Sequence, residues 1–380
     1  MKKSIIIMIG ILLVCAKNAD GQKTLIVPKE PKVNGQTFFQ NFELDDIVPI
    51  ETTDDCLISH INKAIRYKDL LVFADRRKSV FVMNIKTGKI ETSILRQGQG
   101  PGEWRQFRDI AVDDKHGHIL VYTDHNKLMF FDMKGQFLKE ENLEFEGNDM
   151  VYHNGNLVMS ERREGMSCYP YEFNIYDIDK KTVRKIGNST RVDFHIRGYG
   201  NQMVKSKNIW FFVSLDYNLY KYSDGEIETP YTLTVKNPIT KRLIAKSQYT
   251  NIPDMHSFFD EVHESKIIYG FSSPIETDRF IFLTCNRSGQ IMINKQTSET
   301  VWEKDMKEEQ LGGLTIINPA FPVHCEKTRI VFMINLYEWF EAMSHKDKIA
   351  PEWQEKISKM EIVEDSNPIL LFYKEKGIVN

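Results

Sequence analysis

Short runs of alternating large apolar and polar residues recur along the chain, and each run is followed by a polar turn and a second run. Residues 79–92, SVFVMNIKTGKIET, show the pattern clearly. Further copies begin at Lys127, Glu172, Asn218 and Gln290. Period-two alternation around a turn that contains Gly, Asp or Lys is typical of a β-hairpin. The pattern therefore predicts a chain dominated by antiparallel strands.

The hairpins repeat at a nearly constant spacing. The residues that end their first strands are 48, 45, 46 and 71 positions apart. These residues are Asn84, Asp132, Asp177, Ser223 and Asn294. A sixth copy begins at Ile369, and two more strand-like runs lie upstream of the hairpins. Four antiparallel strands per repeat of about 45 residues are typical of one blade of a β-propeller. We therefore predict an all-β fold, a six-bladed β-propeller.

The sixth unit shows three strands instead of four. Residues 42–51, FELDDIVPIE, form a strand-like run just ahead of blade one. We expect this run to pair with residues 369–374 as the outermost strand of blade six. Such pairing closes the ring and removes exposed sheet edges. A single propeller would then span residues 42–377.

A helical pattern interrupts blade six at residues 336–360. Proline at position 351 divides it into two predicted helices. Their apolar residues fall at helical spacing, at Trp339, Phe340 and Met343 and again at Trp353, Ile357 and Met360. The insertion is interpreted as a cap packed on the ring or as a lid or partner-docking helix.

The stretch GQGPGE lies between two strand patterns. It comprises the signature residues Gly98, Gly100, Pro101, Gly102 and Glu103. Glycine supplies conformational freedom and proline supplies stiffness, as a chain needs when it crosses from the outer strand of one blade to the inner strand of the next. No helical pattern follows, although a phosphate-binding loop would need a helix there. We interpret the stretch as a structural crossover.

The segment GQGPGEWRQFRDIAVDD, residues 98–114, with ILVYTDHNKLMFFDMKGQF, residues 119–137, resembles exported bacterial six-bladed β-propellers related to NHL repeats and to TolB-like propellers. The segment DSNPILLFYKEKG, residues 365–377, resembles the closing strand of the same family. The resemblance implies an extracytoplasmic ring. It brings no catalytic mechanism and no established functional residues, because the function of that family is largely unassigned.

The first residues follow the pattern of a secretory signal. Lys2 and Lys3 precede an apolar run over residues 5–14, and small residues follow at Ala19 and Gly21. We predict a signal peptide over residues 1–21 and export to the periplasm or the cell surface. Cys15 raises the alternative of a lipoprotein, and only that alternative would attach the chain to a membrane.

The net charge and the spacing of the cysteines exclude some classes of partner and of metal site. The formal net charge is −3, which gives no basic field to attract nucleic acid. Cys56, Cys168, Cys285 and Cys325 are far apart, so paired C-x-x-C metal motifs are absent. One or two disulfides and isolated thiols both remain open. No sequence motif calls for a cofactor.

Long predicted connections fall at corners that share one face of a propeller. Loops held by a rigid frame often carry binding. The candidate contact residues on these connections are basic or aromatic: Arg162, Arg163, Tyr169, Tyr171, Arg191, Arg197, Tyr199, Arg242 and Trp339. The sequence therefore predicts a non-catalytic scaffold that binds a partner protein, a glycan or another small molecule on this face.

An enzyme is the alternative. His60, His153 and His324 are predicted on or near innermost strands, where three ligands could converge on the central channel and hold a metal ion for a hydrolase or a lyase. The sequence has no G-x-S-x-G nucleophile elbow and no H-E-x-x-H metal motif. The scaffold is therefore the favoured prediction.

Overall fold

A computed structural model provides the structure of the protein. It describes residues 22–58, 60–75, 79–96, 98–123, 125–161, 171–188, 203–213, 215–223, 225–247, 251–316 and 322–377.

The chain forms six antiparallel sheets arranged in a ring. Ahead of blade one lie β1 (Lys23–Ile26), β2 (Lys32–Asn34), α1 (Gln36–Asn41) and β3 (Phe42–Pro49). Blade one contains β4 (Ile61–Tyr67), β5 (Leu70–Asp75), β6 (Val80–Asn84) and β7 (Ile90–Ile94). Blade two contains β8 (Phe107–Asp113), β9 (His118–Thr123), β10 (Lys127–Asp132) and β11 (Phe137–Asn142). Blade three contains β12 (Gly147–His153), β13 (Asn156–Glu161), β14 (Tyr171–Asp177) and β15 (Thr182–Asn188).

The second half of the chain continues the same order. Blade four contains β16 (Met203–Lys205), β17 (Ile209–Phe212), β18 (Asn218–Ser223) and β19 (Glu226–Thr234), and the helices α2 (Lys241–Lys246) and α3 (Ile252–Glu264) follow it. Blade five contains β20 (Phe271–Glu276), β21 (Phe280–Cys285), β22 (Gln290–Asn294) and β23 (Thr300–Glu308), with β24 (Leu314–Ile316) paired to β23.

Blade six is built from both ends of the ring. It contains β25 (Pro322–Glu326), β26 (Arg329–Ile334), β27 (Ile369–Glu375) and the N-terminal strand β3. Each innermost strand contacts the innermost strand of the next blade, and β25 of blade six contacts β4 of blade one. The predicted six-bladed β-propeller is therefore confirmed.

The pairing of β3 with β27 closes the ring, as the sequence predicted. Ile47 lies opposite Leu371 in an antiparallel register, and both side chains are fully buried. The outer edge of β3 is protected, because the Ile47 N–H donates to the Asp46 carboxylate at 2.8 Å and Pro49 has no N–H. The Lys356 ammonium also contacts the Asp46 carboxylate. Such features discourage the addition of a further strand.

An N-terminal strap that the sequence did not predict runs along the rim. β1 adds to blade four in parallel with β19, and β2 adds to blade five in parallel with β23. The buried Glu303 carboxylate of blade five accepts the N–H groups of Thr37 and Phe38 at 2.8 and 3.0 Å, which fixes the start of α1. The strap therefore ties blades four, five and six together before the chain enters the ring.

The core lies between the blades. Apolar side chains on facing sheets form one cluster at each junction of neighbouring blades. Trp302 and Tyr122 are among the largest fully buried side chains. Cys56 and Cys285 are buried thiols with no disulfide partner. Since each blade packs only on its two neighbours, the fold depends on an unbroken ring.

The insertion in blade six is helical, as predicted. It contains α4 (Leu336–Met343), a short 3-10 turn (Lys346–Lys348) and α5 (Pro351–Ser358). Trp339, Ala342 and Met343 are buried in the cluster between blades five and six, and Trp353 and Ile357 pack against it. This packing favours the cap interpretation. In the described part of the chain, no helix combines the length and the apolar character that crossing a bilayer requires.

Candidate functional site

The two faces of the ring differ in the length of their connections. On one face, the turns between first and second strands and between third and fourth strands contain only two to five residues. The other face, called here the loop face, carries the corners between second and third strands and between blades. Its long connections include residues 95–106, 162–170, 189–202, 235–270 and 335–368.

The glycine-rich signature lies on the loop face, between β7 of blade one and β8 of blade two. The Gly100 N–H donates to the Glu103 carboxylate at 2.9 Å. A Cβ atom on Gly98 would come within 1.9 Å of the same carboxylate. The loop therefore wraps around the Glu103 side chain, and Pro101 lies exposed at its tip.

The end of this loop is anchored in the core. Trp104 is buried at the junction of blades one and two, where its ring meets Phe107 and Phe131 edge to face. Gly102 has a φ of +74°, and a Cβ there would press on the Phe137 ring at 2.7 Å. These contacts give the signature a role in joining two blades.

Most of the predicted contact residues fall outside the part of the chain that the structure describes. Arg162, Arg163, Tyr169, Arg191, Arg197 and Tyr199 lie outside the described residues, and Tyr171 begins β14 with its side chain outside them.

Arg242 lies exposed on α2, on the loop face. Its guanidinium pairs with the Glu261 carboxylate of α3, which the Lys246 ammonium also contacts at 2.9 Å. The hydrogen bonds from Arg242 and Lys246 lower the pKa of Glu261 to about 2. Arg242 is therefore held by an ion pair between the two helices.

Trp339 is placed differently from the sequence expectation. It was predicted to face a ligand, but only 2% of it is exposed because α4 turns this side chain into the core. The opposite side of α4 presents Tyr337, which is 75% exposed, and Phe340, which is 37% exposed. These two rings are the aromatic surface that α4 offers on the loop face.

The structure does not bring the candidate histidines together. His60 directly precedes β4, whereas His153 is the last residue of β12. Innermost strands run in the same direction, so these residues lie at opposite ends of seven-residue strands, about 20 Å apart. His324 lies in β25, and its side chain is outside the described part. Within the described ranges, no three His, Cys, Asp or Glu side chains form a group that could hold a metal ion.

A group of polar residues other than the histidines lies near the loop-face end of the innermost strands. Lys63, Asp109 and Asp149 are each the third residue of their strand, in blades one, two and three. We call these three residues the axial cluster. The register of each of these strands shifts at this level, which indicates a β-bulge. Bulges redirect side chains and are frequent beside functional sites.

The axial cluster ties three blades together. The Lys63 ammonium lies 2.6 Å from the Asp109 carboxylate and donates to the Met150 carbonyl at 2.5 Å. The Asp109 carboxylate also accepts the N–H groups of Ile110 at 2.8 Å and Met150 at 2.7 Å. The side chains of Lys63 and Asp109 are each 10% exposed. Lys63 and Asp109 therefore form a buried pair whose hydrogen bonds are largely satisfied.

Asp149 carries the charge that the Lys63–Asp109 ion pair leaves unbalanced in the cluster. Burial in the channel raises its pKa to about 6, and the like charge of Asp109 adds to the rise. Lys63 and a hydrogen bond from the Asn148 side chain act in the opposite direction without cancelling the rise. Above that pH the cluster holds two carboxylates and one ammonium.

Comparison with known proteins agrees with this architecture. The model of one protein family, described as a domain of unknown function (DUF4934), matches residues 27–374. The chain belongs to the DUF4934 family. The comparison with curated proteins gives no match.

Two solved structures of other proteins are similar in fold to this DUF4934 chain. One is a candidate exported protein from Bacteroides fragilis NCTC 9343, with a TM-score of 0.71 and 17% identity over 93% of this chain and 100% of that chain. The other is a member of the DUF4221 family from Bacteroides vulgatus ATCC 8482, with a TM-score of 0.55 and 10% identity over 89% and 99% of the two chains. At these identities the likeness concerns the fold.

Sequence reasoning missed the axial cluster in this DUF4934 chain, although a signal was present. Three innermost strands begin with the sequences INK, FRD and GND. In each of them the third residue is charged, in a run that otherwise supplies apolar residues to the core. The sequence analysis used Asp109 only as part of residues 98–114, the segment that resembles the propeller family. Lys63 and Asp109 are 46 positions apart, and Asp109 and Asp149 are 40 positions apart. They come together only because the innermost strands of successive blades lie side by side.

The role of the signature glycines can be tested with alanine at two positions. Gly102 and Gly155 both have positive φ, but a Cβ on Gly155 would meet nothing within 4 Å. We expect Gly155→Ala to cost about 1 kcal/mol for the backbone alone. Gly102→Ala should cost about 1–3 kcal/mol more, because the new methyl group presses on Phe137. Urea unfolding measures both losses, and equal losses would contradict the packing role.

The raised pKa of Asp149 predicts a pH dependence. Native Asp149 takes up its proton near pH 6, before the unfolded chain does, so it favours the folded state at acidic pH and this contribution is lost as the pH rises through 6. We expect wild type to gain about 1 kcal/mol more than Asp149→Asn between pH 8 and pH 5. Urea unfolding at both pH values measures the difference. An identical pH dependence in the two proteins would rule out this assignment.

Proposed function

We propose that the protein is a non-catalytic, extracytoplasmic binding scaffold that holds a partner on the loop face. The observation that carries the proposal is the asymmetry of the ring. One face has only two-to-five-residue turns, whereas the other carries two helical insertions and the other long connections. A rigid frame that concentrates its long segments on one face is typical of proteins that bind through loops.

The chemistry of the exposed side chains supports a partner with acidic and apolar groups. Tyr337 and Phe340 project from α4, Lys236 is exposed ahead of α2, and Lys241 is exposed as the first residue of α2. Aromatic side chains commonly anchor interfaces, and surface cations steer acidic partners. An acidic loop of a protein or an acidic glycan would match this surface. The basic and aromatic residues of the 162–170 and 189–202 connections add to the same chemistry.

The extracytoplasmic setting rests on the N-terminal pattern. Residues 1–21 have the basic, apolar and small-residue order of a signal peptide, and the structural relative from Bacteroides fragilis carries a name that refers to export. The periplasm and the cell surface both fit, with lipidation at Cys15 as the route to a membrane. Kinship with NHL-repeat and TolB-like propellers stays a prediction from the sequence.

Site-specific photocrosslinking tests the proposal. A photoreactive phenylalanine analogue is placed at Tyr337 or Lys241 on the loop face, and at Lys134 or Lys180 on the short-turn face as matched exposed controls. We expect irradiation of intact cells to give discrete adducts only from the loop-face positions, because a bound partner covers that face.

All four variants should unfold at the wild-type temperature, since every position is exposed. Adducts of equal yield from both faces, or adducts confined to Lys134 and Lys180, would contradict binding through the loop face. Mass spectrometry of the adducts identifies the partner.

A further inference from the structure

We propose that residues 22–34 of the N-terminal strap form a docking surface for an anionic phospholipid membrane. We call these residues the strap surface; they contain β1 and β2 and cross the rim of the ring from blade four to blade five. The strap surface lies on the rim and is separate from the loop face. The inference therefore goes beyond the binding of a partner on the loop face and does not depend on it.

The strap surface is basic. It carries three lysines, Lys23, Lys29 and Lys32, and all three are exposed. Its one acidic residue is Glu30, whose carboxylate lies 2.9 Å from the Lys266 ammonium and 2.6 Å from the Arg287 guanidinium. Residues of the ring therefore neutralise Glu30 and leave the lysines as the net charge of the strap surface. Anionic lipid headgroups attract lysines that lie close to a membrane.

Two large apolar side chains project from the same surface. Ile26 is 75% exposed at the end of β1, and Val33 is 52% exposed in β2. Leu25, the neighbour of Ile26, is buried in the cluster between blades four and five. Since Leu25 already anchors β1 to the core, the fold does not require Ile26 to be apolar. Binding at a membrane interface increases with the apolar area that enters it and with the attraction to anionic lipids, and the strap surface offers both.

The ring holds the strap surface in place. β1 pairs with residues 231–234 of blade four, and β2 pairs with residues 303–306 of blade five. Between the two strands, the Arg287 guanidinium donates to the Lys29 carbonyl at 3.1 Å. The lysines and the apolar side chains are therefore presented together on an ordered backbone. Docking then costs little conformational entropy.

Charges beside the strap surface do not cancel its lysines. Residues 231–234, alongside β1, are uncharged. Alongside β2, the Glu303 carboxylate is buried and accepts the N–H groups at the start of α1. Lys304 and Asp305 are neighbours in β23 and offset each other.

The outer strand of blade three, β15, is also basic, but its charges are engaged. At its start, the Lys180 ammonium lies 2.8 Å from the Asp177 carboxylate, and the Lys181 ammonium lies 3.3 Å from the Glu141 carboxylate. Among the described residues of β15, Val183 alone is a large apolar residue with high exposure. The strap surface is therefore the part of the rim that best fits an anionic membrane.

The sequence ahead of the strap favours a membrane over an acidic protein as the partner. The apolar run over residues 5–14 directs the chain to a membrane for export and lies shortly before β1. An acyl group on Cys15 would leave eight residues up to Lys23, which span at most about 28 Å. Contact through the rim sets the ring on its edge, so the loop face stays open to a partner.

Sedimentation with vesicles tests the role of the lysines. Residues 22–380 form the predicted mature chain, contain every described strand and helix, and lack Cys15. We expect this protein to bind vesicles of equal parts phosphatidylglycerol and phosphatidylcholine, and to bind phosphatidylcholine vesicles far more weakly. Replacing all three strap lysines with Gln should weaken binding to the mixed vesicles about a hundredfold, since each lysine near an anionic surface contributes about fivefold. A control of equal net charge should bind as wild type; it carries Lys134→Gln, Lys346→Gln and Lys348→Gln at exposed positions away from the strap.

The apolar side chains are tested in the same assay. Ile26→Ser with Val33→Ser should weaken binding to the mixed vesicles about tenfold, because these side chains leave water when they enter the interface. Leu138→Ser should bind as wild type, because Leu138 is 45% exposed on β11 of blade two, away from the strap. All variants should unfold at the wild-type temperature, since every replaced side chain is exposed.

Four outcomes would overturn the proposal. They are no binding to the mixed vesicles, equal binding to both kinds of vesicle, undiminished binding in either strap variant, and an equal loss in the lysine control. Release of the protein by free glycerol phosphate at the same phosphate concentration would also overturn it, because the ligand would then be a soluble anion. None of these outcomes bears on crosslinking from Tyr337, so the two proposals can fail separately.

Discussion

The pairing of β3 with β27 is the interaction on which the rest of the molecule depends. The two strands come from opposite ends of the ring, and their buried side chains, Ile47 and Leu371 among them, complete blade six. Every blade is packed only by its neighbours, so one open junction would expose two apolar sheet faces. Closure also leaves blade six with the protected outer edge formed by Asp46 and Pro49.

In the closed ring, different features stabilise different groups of blades. The strap of β1, β2 and α1 reinforces blades four to six, and the α4–α5 insertion seals the junction of blades five and six. With the frame fixed in this way, the loop face can carry long segments without loss of the core. The axial cluster ties blades one to three at the channel, so charged groups support the half of the ring that the strap does not reach.

The repeating part of the fold could be predicted from the sequence because each hairpin carries its own alternation and turn. The closing strand was predictable since blade six lacked a partner for residues 369–374. The strap was not, because KTLI and KVN are short and pair in parallel with strands far along the chain. Trp339 was misplaced because α4 is apolar on both flanks, and only packing decides that Trp339 turns inward while Tyr337 and Phe340 turn outward. The axial cluster depends on bulges and on contacts between blades, which no local pattern shows.

Native-state hydrogen exchange of the β3 amides tests the central claim most directly. If closure by β3 is integral to the fold, the amides that β3 donates to β27 should exchange only through global unfolding. Their free energy of exchange should then equal that of the buried strand β9 in blade two. Exchange of β3 at a clearly lower free energy than β9 would show that the terminal strand opens by itself, and would contradict the account.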